Sequence, residues 1–95
     1  MTEISRLIYE TIDEINEQSP PDRKISKSEQ TVIVGEGSAL DSLGIINFLV
    51  SLEERVAAFT GRSVTLLNDE VLSDPARPLR TLALIEKFIS EQIPN

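Results

Sequence analysis

The stretch Leu40-Asp41-Ser42-Leu43-Gly44, with the apolar run Ile45 to Phe59 behind it, decides how this chain is read. Wound at about 100° per residue, segment 42–60 places Ile45, Phe48, Leu49, Leu52, Val56 and Phe59 within one arc, the expected core face. Gly61 is the natural stop, because glycine adopts the left-handed conformation that closes helices. Leu43, Ile46, Val50 and Ala57 fall on the far side, where a surface helix is ordinarily polar. A helix apolar on two faces is either fully buried or keeps one face for a partner. Full burial is hard in so short a chain, so the far face is read as a partner surface.

Ser42 stands at the mouth of that helix and has two readings. As structure it is a helix N-cap, accepting a backbone N–H and contributing about 1 kcal/mol. As chemistry it is an exposed hydroxyl where the helix dipole welcomes a phosphate. A serine nucleophile needs a base and oxyanion donors. The chain has no histidine and no cysteine, and Lys24, Lys27 and Lys87 lie in a polar loop or in the last helix. Glu53 and Glu54 are adjacent and point about 100° apart on a helix, so they do not form an acid–base pair. No stretch supplies the alternating acids of a calcium loop. Ser42 is therefore not read as a catalyst; a helix cap and an attachment point both stay open on these residues.

Outward from this centre, residues 2–18 form an amphipathic helix, with Ile4, Leu7, Ile8, Thr11, Ile12 and Ile15 on one stripe. Thr2 or Ser5 is expected to cap its start, and Glu10, Asp13, Glu14 and Glu17 to form a solvated face. Pro20-Pro21 ends it. The long connection 19–41 has a strand-like run, Thr31 to Val34, but no partner strand anywhere in the chain. Ile25, Val32, Val34 and Leu40 are expected to plug this loop into the core, with Gly35 and Gly37 at turns. A short helix over 68–73 with Asn68 as cap and a final helix over 79–92 complete the chain. The latter buries Leu82, Ile85, Phe88, Ile89 and Ile93, and its basic start (Arg77, Arg80) opposes the helix dipole. The expectation is one all-α domain spanning 1–95.

Composition narrows the partners. Sixteen acids against nine bases leave a net charge of −7, which repels phosphate backbones and argues against nucleic acid. Without cysteine or histidine, neither a disulfide framework nor a zinc site of the usual kind is expected. No run approaches the length of a membrane span, and Glu3 and Arg6 precede any apolar segment, so a cytoplasmic address without a signal peptide is expected.

Leu40-Asp41-Ser42-Leu43, followed by a helix ending in Leu52-Glu53-Glu54-Arg55-Val56, resembles the acyl carrier proteins. Their signature is Asp-Ser-Leu at the start of helix two with Leu-Glu-Glu near its end, and the likeness extends over nearly the whole chain. It implies a four-helix bundle with a long first loop and a short third helix. It also implies that a phosphopantetheinyl transferase joins 4′-phosphopantetheine from coenzyme A to Ser42, flanked by Asp41 and Leu43. The arm's thiol would carry acyl or aminoacyl groups to partner enzymes, an acyl-loading ligase and a synthase or transferase, with the carrier itself a monomer that catalyses nothing. Leu43, Ile46, Asn47, Val50, Glu53 and Glu54 are the implied recognition residues. Carriers of fatty-acid synthesis usually place acids early in this helix, where Gly44 and Asn47 stand here. The departure points to a specialised pathway, or to an aminoacyl carrier, rather than to housekeeping fatty-acid synthesis.

Overall fold

Four α-helices and no β-strand make up the regular backbone of the computed structural model among the residues it describes, 3–21 and 24–93. They are α1 (Glu3–Glu17), α2 (Ser42–Thr60), α3 (Asp69–Leu72) and α4 (Leu82–Gln92). The amphipathic stripe of α1 packs against both α2 and α4. Leu7, Ile8 and Ile12 of α1 meet Phe48, Leu49, Leu52 and Val56 of α2, and Leu82, Ile85 and Ile89 of α4, in one buried cluster. Thr11 also belongs to the stripe and is buried; its hydroxyl donates to the Leu7 carbonyl at 2.8 Å, so no polar atom is stranded there. The acidic face of α1 is solvated as expected, and three of its acids also form ion pairs. Arg6 bridges Glu3 and Glu10, Lys27 reaches Asp13, and Arg55 pairs with Glu14.

Helix ends follow the residues available. Gly61 closes α2 at φ 75°, and its N–H returns to the Ala57 carbonyl at 2.8 Å. Asn68 caps α3, accepting from the Glu70 N–H. Two expectations on caps and bounds are corrected. Ser5 lies inside α1 and donates to the Glu86 carboxylate of α4 at 2.5 Å, so it is no cap; Thr2 lies outside the described residues. The last helix begins at Leu82 rather than 79, with Thr81 as its cap. Arg77 and Arg80 therefore precede the helix and are not in its first turn.

The first connection is more ordered than a loop of its length suggests. The Asn16 side chain clamps the backbone of Ile25 from both sides, donating to its carbonyl at 2.9 Å and accepting from its N–H at 2.7 Å. Further on, Val32 forms an isolated antiparallel bridge with Thr81, and the Ile33 N–H donates to the Arg80 carbonyl at 2.7 Å. The carbonyls of Thr31 and Glu29 accept the N–H groups of Leu82 and Ala83, at 3.2 and 3.0 Å. Those are first-turn donors of α4, which no helix satisfies internally. The loop thus completes the cap that Thr81 begins. Of the expected plugs, Ile25 is buried and Val34 and Leu40 pack half-buried against the core, whereas Val32 does not join it. Ile33, not among them, is fully buried. Gly35 and Gly37 take positive φ, as turn residues at those positions should.

The expected core arc of α2 holds except at its ends. Phe59 is half exposed, with the Arg6 guanidinium 5.3 Å from its ring centroid, and Ile45 is half-buried. The Arg6 pKa is raised above its ordinary value, first by the hydrogen bond to Glu3 and then by that carboxylate's charge. None of the described helices is long and apolar enough to cross a membrane.

Candidate functional site

Ser42 occupies the first position of α2 and is exposed. The capping role expected of it belongs to Asp41, which has extended backbone (φ −81°, ψ −178°) and accepts the Gly44 N–H through Oδ1 at 2.7 Å. The Asp41 carbonyl accepts the Ile45 N–H at 2.9 Å, closing the first intrahelical turn. Ser and Asp are equally good caps, so the sequence does not distinguish them; a shift of one residue reverses their roles. The Ser42 hydroxyl makes no hydrogen bond among the described residues, unlike those of Ser5, Ser19 and Ser73, which donate to neighbouring acceptors. The first-turn N–H groups of Ser42 and Leu43 have no intrahelical acceptor, as at any helix start.

These roles separate in a measurable way. Asp41→Ala should lower stability by about 1 kcal/mol through loss of the cap, whereas Ser42→Ala should change it by less than about 0.5 kcal/mol as an exposed surface substitution. Chemical denaturation of the two variants checks this, and equal losses would mean that both side chains serve the helix start.

Gly44 has a structural reason. A Cβ there would lie 3.1 Å from Leu40 Cδ2 and 3.2 Å from Asp41 Oδ1. Leu40 and Ile45, both half-buried against the core, occupy the two positions of a hydrophobic staple around the cap. Any side chain at 44 would require Leu40 and the Asp41 carboxylate to give way by a few tenths of an ångström. Gly44, Asn47 and Asp41 also line a shallow cavity of about 240 Å³ that reaches Ile15 and Gln18.

No family model matches the chain, and neither a curated protein nor a solved structure matches it. The site therefore rests on its own geometry. Leu43 is 66% exposed and Ile46 42%, so two of the expected recognition residues form an apolar patch beside the serine. Val50 and Ala57, further along the same side, are half-buried, and the free apolar face is correspondingly shorter than the sequence suggests. Asn47 and Glu54 are exposed. Glu53 serves the fold instead: its Oε2 accepts the N–H groups of Leu66 and Leu67 at 2.5 and 2.9 Å, fastening the α2–α3 connection to α2. Nothing in the sequence near Glu53 announces this, because the donors come from a connection with no regular pattern. No group of three or more His, Cys, Asp or Glu side chains that could hold a metal ion occurs among the described residues.

Proposed function

We propose that this chain is a carrier protein of the acyl-carrier type, a four-helix bundle with a long first loop and a short third helix, modified on Ser42. The observation that carries the reading is the division of labour at the start of α2. Asp41 caps the helix, which leaves the Ser42 hydroxyl exposed and without a hydrogen bond among the described residues. The residues fit a 4′-phosphopantetheine ester: an accessible oxygen, and beside it the first-turn N–H groups of Ser42 and Leu43, where a phosphate is electrostatically favoured. When bound, the group supplies a thiol that holds acyl or aminoacyl cargo as a thioester, which a chain without cysteine lacks. The transferase brings the base that takes the hydroxyl proton, so the missing histidine is no obstacle.

Leu43 and Ile46 are the residues best placed to meet the transferase, the loading ligase and a synthase or transferase downstream, with Asp41 and Glu54 as exposed acids for steering. Glu53 drops out of that set because of its backbone partners. Asn47, exposed and uncharged where fatty-acid carriers usually place an acid, favours a specialised acyl or aminoacyl pathway. A cytoplasmic monomer is the form in which such a carrier would work. Replacing Ile46 by lysine should leave the thermal midpoint within a few degrees, since an exposed substitution is near-neutral, yet slow transfer onto Ser42 by about tenfold or more, a loss of about 1.4 kcal/mol. Steady-state modification rates read this. A large drop in stability instead would place Ile46 in the core. The direct test of the function is whether a phosphopantetheinyl transferase moves its group from coenzyme A onto Ser42 and onto no other serine, read by peptide mapping.

A further inference from the structure

We propose that the cavity between the first connection and the α3–α4 linker binds a small organic oxyanion with a short apolar tail, held by Arg77 and Arg80. The site does not involve Ser42 and stands apart from the carrier reading. The cavity measures about 390 Å³, within the usual range for small-molecule sites. Val34, Val71, Leu72 and Leu79 give it an apolar wall, and the two arginines border it. A Cβ built on Gly35 would lie 3.3 Å from Arg77 Nη1 and 3.6 Å from Arg80 Nη1. Both guanidinium groups therefore converge on one point, and the missing side chain at Gly35 keeps that point open.

The two arginines have no direct carboxylate partner among the described residues, in a protein with acid to spare. Acids outnumber bases sixteen to nine, and Arg6, Lys27 and Arg55 each find a carboxylate. Arg77 and Arg80 form no ion pair among the described residues. Two carboxylates do border the cavity. Asp74 uses Oδ1 to accept the Ala76 N–H at 2.9 Å, and Glu36 is exposed; neither pairs with either arginine. Arg77 is exposed and Arg80 half-buried, and an anion placed between them would meet both charges at once. Guanidinium groups match the oxygen pairs of carboxylates and phosphates, and the wall supplies a place for a tail. The backbone adds a second sign: Arg77 sits at φ 50°, a conformation uncommon for a side chain other than glycine and concentrated at ligand clamps and other functional positions.

Amide NMR titration of the full chain with hexyl phosphate, hexanoate, inorganic phosphate and hexanol tests the site. Saturable shifts at Gly35, Leu72 and Arg77 are expected in the millimolar range with hexyl phosphate or hexanoate, and weaker binding of inorganic phosphate and hexanol. The tighter of the two tailed anions tells a phosphate ligand from a carboxylate one. Arg80→Gln and Arg77→Gly should each weaken binding by about tenfold, the loss of one charge-assisted contact. Both should fold, since Arg80 holds the loop through its carbonyl and glycine accepts the positive φ of Arg77. If Arg80→Gln does not fold, Arg77→Gly and the wild-type map still decide. No saturable binding, hexanol binding as tightly as hexanoate, or unchanged affinity in the folded variants would overturn the proposal.

Discussion

Replacing Ile33 by alanine should destabilise the protein by about 2–5 kcal/mol, the cost of truncating a fully buried aliphatic side chain. Total stabilities of small domains run to about 5–15 kcal/mol, so the effect is a large share of the whole. Val32→Ala, one residue away but half-buried, should cost clearly less. The contrast is informative because Ile33 lies in a connection, not in a helix. Its side chain fills the core while its N–H bonds the Arg80 carbonyl, and its neighbours' carbonyls serve the first turn of α4. Losing the plug should loosen the loop and the start of the last helix together. Denaturant midpoints for both variants, with amide exchange at Leu82 and Ala83, would read this. Equal and small costs at 32 and 33 would mean that the connection merely lies on the bundle.

Ser42→Ala should abolish phosphopantetheine transfer completely while leaving helical content and thermal midpoint at wild-type values. The reasoning has two independent parts. Without the hydroxyl oxygen no ester can form, whatever enzyme is supplied. With Asp41 already accepting the Gly44 N–H, the helix loses nothing when the serine oxygen goes. Had Ser42 been the cap, the same change would cost about 1 kcal/mol. Ser42→Asp distinguishes further: a carrier would be inactivated, whereas the alternative class, a helical protein-interaction module that is never modified, would tolerate it. Circular dichroism and intact mass on one preparation answer both parts.

The helices were largely legible because their signals are local. The spacing of Leu7, Ile8, Thr11 and Ile12 defines the buried stripe of α1, Gly61 stops α2, and Asn68 caps α3, each through its own chemistry. The connection was not legible, because local pattern cannot choose which face of a short extended run turns inward. That choice is made by the bridge from Val32 to Thr81, far along the chain, and it buries Ile33 rather than its neighbours. Phe59 misled for a related reason. An arc drawn on α2 alone cannot show that the ring meets the Arg6 guanidinium rather than apolar partners. The exposure of Ser42, Leu43 and Ile46 at the start of α2 was readable from sequence. The roles of Asp41 and Glu53 were not, since both are fixed by which backbone N–H groups come within reach.

The central claim is that Ser42 is an attachment residue, and intact mass spectrometry tests it most directly. The full chain is to be coexpressed with several phosphopantetheinyl transferases of broad specificity, alongside Ser42→Ala. A single added phosphopantetheine on the wild type, absent from the variant, is the predicted result. A wild-type mass that never changes with any of these enzymes, or a variant modified as fully as the wild type, would contradict it.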